Sequence, residues 1–310
     1  VDIDEASLQK VGQWAWPRSV MAEMVERLHA MGARAIVFDI VFAEPDRTSP
    51  DNYLKNVPDE LDRQRLKTAF EGLPDNDEVL AGAIRGAGNV VTGFTRADHA
   101  LEEFEKPRIA QPIGFKGEAR SIARTLYPMR AVTTNIPEIS RAAAGNGSFA
   151  VSPDIDGLIR LVPLLFQYVG EERETKGIYP ALSVEAVRVA HHARSLIRIR
   201  EVPPEEGGAF HPPYSMKVGN FNVPLDVDGR LHVYFSEARP ETYIPAWKVL
   251  DGQADAEAIS GRIVLIGTSA EGLRDIRSTP IDLFIPGVEV HMNVAEQIMT
   301  GQFLLRPWFI

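Results

Sequence analysis

Two stretches decide the fold: ARAIVFDIVFAEPD (residues 33–46) and GRIVLIGTSAEGLRDIRSTPIDLFIPGVEVHMNVAEQIMTG (residues 261–301). Each holds a short apolar run rich in β-branched residues, Ala-Ile-Val-Phe in the first and Ile-Val-Leu-Ile in the second. A run without polar alternation is what a strand covered on both faces of a parallel sheet requires. Each strand then enters a loop of acidic and small polar residues. Asp39, Glu44 and Asp46 follow the first; Thr268, Ser269, Asp275 and Thr279 follow the second. Ligands of open parallel sheets bind outside the carboxyl ends of the strands, so these loops are where a site is expected. The two strands share this chemistry and are expected to be neighbours.

Outward from the first strand, the pattern is strand, helix, strand. Pro17 suits a first helical position, and Val20, Met21, Met24, Val25, Leu28 and Met31 follow at helical spacing before Gly32. A weaker copy spans residues 77–94, with a stripe at Val79, Leu80, Ala83, Ile84 and Ala87, a stop at Gly88 and a strand over 89–94. The connections are expected to be right-handed crossovers. Residues 47–74 are charged, punctuated by proline and poor in core residues, and read as an insertion or lid with a short amphipathic helix. Residues 96–127 give no ordered pattern.

In the middle, residues 147–151 and 158–169 read as a hairpin closed by Ser-Pro-Asp-Ile-Asp-Gly (residues 152–157). A helix is expected over 179–193, and a meander over 214–218, 221–225 and 231–235. The parallel pattern then resumes with a helix over 246–250, the strand 263–266 and a last helix over 288–300. The sum is an α/β fold: one domain over residues 1–310, with a mixed, mostly parallel central sheet flanked by helices and an antiparallel β extension.

Composition excludes several function classes. A formal net charge of −10 argues against nucleic acid as a partner, because phosphate binding needs a basic face. It argues also against adhesion to an anionic lipid surface. The absence of cysteine excludes disulfides, thiolate metal sites and a cysteine nucleophile. Gly267–Thr268–Ser269–Ala270–Glu271–Gly272 has the glycine spacing of a phosphate loop, but Leu273-Arg274 replaces the required Lys-Ser/Thr pair. No G-x-S-x-G elbow is present, and Glu289-Val290-His291 is not a metalloprotease motif. His191 and His192 sit near a helix end, a position suited to exposed carbonyls. The two D-x-D-G turns, 154–157 and 226–229, lack the bidentate glutamate of a full calcium loop, and Asx-type turn chemistry accounts for both. Neither catalytic residues, nor a metal, nor a cofactor is expected.

Six stretches together resemble the second class of CHASE domains, the extracellular sensor modules of bacterial cyclases and histidine kinases. They are VDIDEASLQKVGQWAWPR, FDIVFAEPD, GNGSFAVSPDIDGLIRLVPL, GIYPALSVEAVR, IVLIGTSAEGLRD and TPIDLFIPGVEVHMNVAEQIMTGQ, spread over nearly all of the chain. The resemblance implies a sensor rather than an enzyme. It implies an extracytoplasmic (periplasmic) location at the cell membrane, an unidentified small-molecule or physical stimulus, and a receptor that is a class III nucleotide cyclase or a histidine kinase. It also implies tethering through flanking membrane helices, and a homodimer with both membrane ends pointing the same way. The chain opens at Val1 without a methionine and closes with FLLRPWFI, so an excised soluble domain is expected, with 303–310 starting a membrane-proximal segment. No apolar run is long enough to span a bilayer.

Asp39 leaves its strand where water is scarce, and an unpaired buried carboxylate is expensive. The family-like motifs place Arg18, Arg160, Arg274 and Arg277 nearby as candidate cations. Either a fixed ion pair holds loops together there, or that pair walls a ligand site. With an arginine as partner, Asp39→Ala is expected to destabilise by about 2–4 kcal/mol. His291, at the start of the last helix, is expected to be neutral; it either packs or contacts ligand beside Asp275 and Thr279. The ligand-site hypothesis thus comprises Arg18, Asp39, Asp46, Arg160, Asp275, Thr279 and His291, with Asp39, Asp46, Asp275, Thr279 and His291 clustered at one sheet edge. Trp14 and Trp16 are expected in the core. Two other classes compete with the sensor. One is a hydrolase holding magnesium or calcium with Asp39, Glu44, Asp46 and Asp275. The other is a free solute-binding protein, which would need two similar lobes, and no internal duplication is visible.

Overall fold

In chain order, β1 (Asp2–Ile3), α1 (Glu5–Val11), α2 (Arg18–Ala30), β2 (Ala35–Phe38), α3 (Pro50–Lys55), α4 (Glu60–Ala69), α5 (Asn76–Ala87) and β3 (Val90–Arg96) come first. The middle holds β4 (Ile113–Lys116), β5 (Tyr127–Met129), β6 (Val132–Thr133), α6 (Pro137–Ala142), β7 (Gly145–Ser148), β8 (Leu161–Pro163), β9 (Leu165–Val169), β10 (Thr175–Pro180) and α7 (Leu182–Ala190). Then follow β11 (Ile197–Glu201), β12 (Tyr214–Val218), β13 (Phe221–Leu225), β14 (Arg230–His232), α8 (Ala246–Leu250), β15 (Ile263–Thr268), β16 (Ile276–Arg277), β17 (Ile285–Pro286) and α9 (Gly287–Thr300). This computed structural model describes residues 1–97, 113–169, 175–191, 197–203, 206, 212–237, 239–273 and 275–305.

The central sheet runs β1-β15-β2-β3-β7, all parallel, with β6 antiparallel at the end of β3. The two strands that opened the reading are neighbours, with Ile36 opposite Val264 and Phe38 opposite Ile266. All four residues of β2 are buried, because the sheet is covered twice. Ile36 and Phe38 pack with Met21, Met24, Leu28, Leu80 and Ile84 of α2 and α5. Ala35 and Val37 face Leu182, Ala186 and Ala190 of α7 on the other side. Each such large side chain contributes roughly 1.5–3 kcal/mol when taken out of water, which is why the run tolerates no polar residue. Trp16 lies in the first of these cores, 2% exposed, with its indole N–H donated to the Gly12 carbonyl at 2.7 Å.

A second core gathers the rest of the chain, where the expected antiparallel extension is in fact mixed: β11 pairs parallel with β4 and β9 with β5, and the other pairs are antiparallel. Sheets β13-β12-β11-β4 and β10-β9-β5 and the pair β8–β14 enclose Phe166, Ile197, Met216 and Val223, and Val290, Val294 and Ile298 of α9 join them. The helix α9 therefore bridges the parallel sheet and this second core.

Three expectations about the middle are corrected. Residues 147–151 and 158–169 form no hairpin: β7 joins β3 in the central sheet, while β8 pairs with β14 and β9 with β10 and β5. Glycines at 145 and 147 make β7 unlike a strand in composition, yet they are what lets α7 lie directly on it; a Cβ at Gly147 would sit 2.8 Å from the Ala181 carbonyl oxygen. The helix expected from 179 begins at Leu182, and the residues before it form β10. The third strand of the meander leaves it to pair with β8. Helix α1 was not foreseen; Asp4 caps it by accepting the Ser7 N–H at 2.8 Å. Residues 47–74 carry α3 and α4, and of their side chains α4 buries none and α3 only Leu54.

Candidate functional site

Asp39 extends β2 by one residue beyond the buried run, its N–H donated to the Ile266 carbonyl of β15 at 3.0 Å. Its carboxyl is enclosed at the sheet edge, although part of the residue reaches solvent, and has no hydrogen bond among the described residues. Burial pushes its pKa up to about 8, the nearby Asp275 adds to the rise, and Arg277 offsets part of it. Asp39 is thus largely a neutral acid at neutral pH.

Asp275 comes from the loop after β15. Its carboxylate pairs with Arg277 at 2.7 Å, and its carbonyl accepts the Gly287 N–H at 2.8 Å. The β16–β17 ribbon, with Arg277 opposite Ile285, brings Gly287 to this point. A glycine is needed there: a Cβ would lie 2.7 Å from the Asp275 Cγ and Oδ1. The acidic group thus rests on the first residue of α9, where the helix dipole favours negative charge. One turn on, His291 is 3% exposed and hydrogen-bonds the Phe149 backbone. Burial, with Arg277 adding to it, lowers its pKa to about 4, so the imidazole is neutral; its Nδ1 has no partner. Phe149 follows β7 and lies across Gly93 of β3, where a Cβ would be 2.8 Å from the Phe38 carbonyl oxygen.

The carboxyl ends of β2, β15 and β7 therefore converge on the start of α9, and bring together Asp39, Asp275, Arg277 and His291. The other proposed residues lie elsewhere. Asp46 forms a separate corner, accepting the Arg18 N–H at 2.7 Å, Thr48 N and Oγ1 at 2.8 Å and Asn76 Nδ2 at 3.1 Å. Burial alone would raise Asp46, but these donors hold it below the usual carboxylate range. Pro17 offers α2 no side-chain cap, so Asp46 supplies the acceptor from across the chain. Arg18 turns to Asp77 at 3.5 Å, not to Asp39. Arg160 pairs with Asp154 at 2.8 Å and Asp156 at 2.7 Å within its own turn. Thr279 is 1% exposed but closes its own loop, donating to and accepting from the backbone of Asp282. Arg274 lies outside the described residues, as does His192.

Two consequences follow. Of the cations proposed for Asp39, Arg18 and Arg160 pair elsewhere, and Arg277 is near but already paired with Asp275, so among the described residues Asp39 has no arginine bond; Arg274 lies outside them. Nor do Asp39, Glu44, Asp46 and Asp275 form one cation site: the Arg18 Nη2 holds the Glu44 carbonyl at the Asp46 corner, and among the described residues no group of three acidic or histidine side chains suits a metal. Phe149 was missed by sequence reading. The glycines that precede it and face it were its only signal.

A doubly covered parallel sheet with ionisable groups gathered at its carboxyl edge defines an open α/β domain. The chain matches the CHASE2 domain over residues 1–310 and belongs to that family of extracellular sensor domains. No curated protein and no solved structure matches it.

Proposed function

We propose that the domain senses a ligand or physical stimulus on the extracytoplasmic side of a bacterial transmembrane receptor whose effector is a nucleotide cyclase or a histidine kinase. The observation that carries the reading is the seating of Asp275 on Gly287. An event at the sheet edge that changes the charge or position of Asp39, Asp275 or His291 acts directly on the first turn of α9. That helix runs back along β15: Val288 lies against Gly267, and Met299 lines the same cavity as Ile263 and Val1. It therefore spans from the site to the opposite end of the sheet. A stimulus shifts such a receptor only by its differential affinity for two positions of the helix. Arg18, Asp46, Arg160 and Thr279 have no part in the site in this reading and hold only their own loops and turns. The receptor works as a parallel homodimer tethered by flanking helices.

The test uses the full-length receptor in membranes, with cyclic nucleotide production and autophosphorylation as outputs. Asp275→Asn and Gly287→Ala are each expected to change basal output several-fold, with Arg160→Ala unchanged. Cysteines placed at Gln302 are expected to crosslink within a dimer. Output identical to wild type in both site variants overturns the signalling route. Absence of the crosslink overturns the dimer alone.

A further inference from the structure

On the other side of α9 lies a cavity of about 600 Å³ between that helix, β15 and residues 239–244. Its floor is apolar, with Ile244, Leu265, Met292, Ala295 and Met299 among its lining. Volumes of this order hold small organic ligands. What distinguishes it from a plain groove is a carboxylate with no protein partner among the described residues, its oxygens open to the cavity space, beside an arginine with one unmet buried donor. Glu289 is 4% exposed, lines the cavity, and has neither a hydrogen bond to its carboxylate nor an ion pair among the described residues. Arg239, also in the lining, gives Nη2 to Glu296 at 2.6 Å and leaves its buried Nε without a partner.

The charges choose the occupant. Glu289 and Glu296 bring two negative charges to this end of the cavity and Arg239 one positive, so the local balance is that of an anion. A buried carboxylate without a partner is costly, and a cation that reaches it recovers that cost. Burial accordingly raises the pKa of Glu289, with Arg239 offsetting part of the rise. A carboxylate ligand would meet the opposite balance and leave Glu289 unpaired.

We infer that this cavity binds an amphiphilic amine, its ammonium on the Glu289 carboxylate and its apolar body along Met292, Ala295 and Met299. The site is separate from the Asp39–His291 edge, on the opposite flank of the same helix. An amine seated there packs against α9 independently of anything at the sheet edge.

The experiment is calorimetric titration of the 310-residue chain with 4-phenylbutylamine, using 4-phenylbutanol and 4-phenylbutyrate as probes with the same body and other heads. The amine is expected to bind saturably, and the alcohol and acid at least about tenfold more weakly, as a charge-assisted contact requires. Glu289→Gln, which keeps shape and removes charge, is expected to weaken the amine by about tenfold or more. Met292→Trp, which fills the cavity, is expected to abolish its binding, and Asp39→Asn to leave it unchanged. The inference is overturned if the acid binds as well as the amine, if Glu289→Gln binds like wild type, or if no saturable heat is seen.

Discussion

Asp39 and Asp46 leave the same strand seven residues apart, and the fold treats them oppositely. Asp46 sits at the head of α2 and accepts four donors from Arg18, Thr48 and Asn76, so it stays charged despite burial. Asp39 finds none among the described residues, and the carboxylate of Asp275 is its neighbour, so burial prevails and its pKa rises to about 8. Burial penalises both charges; hydrogen bonds to the charged form decide which one survives. A satisfied carboxylate is a fixed structural part, whereas an unsatisfied one responds to protons, cations and ligands. The contrast locates adjustable chemistry at the Asp39 edge and rigidity at the Asp46 corner.

The largest expected effect lies at the corner. Asp46→Ala strips a cap and leaves Arg18 and Asn76 short of an acceptor, and is expected to destabilise by about 3 kcal/mol in a denaturant midpoint. A loss below about 1 kcal/mol would mean that water replaces the carboxylate and the corner is not rigid. Next comes Gly287→Ala. Its methyl meets Asp275, and overpacking of this kind is expected to cost about 1–3 kcal/mol, read as a lowered Tm. Paired with Asp275→Ala the loss should shrink, which a double-mutant cycle measures.

A smaller effect, opposite in sign, is expected for Asp39→Asn. An acid whose folded pKa is raised binds more protons folded than unfolded, so its contribution falls as pH rises from about 4 to about 8. His291, lowered to about 4, does the reverse, and its contribution is lost as pH falls from about 6.5 towards 4. Of these two, only Asp39 acts between about 6.5 and 8, where the buried Val1 amine, lowered from 8.0 to about 6, acts with the opposite sign. Asp39→Asn is therefore expected to remove the falling component of the stability curve in that window and to gain about 1 kcal/mol at pH 8, kept small because part of the residue reaches solvent. An unchanged slope would show Asp39 already ionised. The smallest expected effect is at Arg160→Ala, whose partners share its exposed turn: no resolvable change in midpoint.

Much of the parallel half was legible in the chain. The run Ala35–Phe38, the stripe before Gly32 and the stop at Gly88 are local signals, because burial on two faces and helix termination act on neighbouring residues. The same reasoning put Asp39, Asp46, Asp275, Thr279 and His291 at one edge, since strand direction places the residues after β2 and β15 together; Asp39, Asp275 and His291 meet there, whereas Asp46 and Thr279 are held by their own loops. It failed where pairing is non-local. β7 is half glycine, and only α7 lying on it makes it a strand. β14 abandons a short meander for β8, about seventy residues away, and its Leu231 joins Val162 in the second core.

The sequence by itself determined the doubly covered parallel sheet, its polar edge and the absence of cysteine and phosphate-loop chemistry, all of which follow from residue type and short-range spacing. Only the tertiary structure decided which carboxylates are satisfied. Arg18 was free on paper to reach Asp39 and instead serves Asp77, Arg160 stays within its turn, and Glu289 and Arg239 come to share a cavity from segments fifty residues apart. The reason is physical: desolvation and hydrogen bonding depend on where water is excluded and which donors are within about 3 Å, and both are properties of the packed chain.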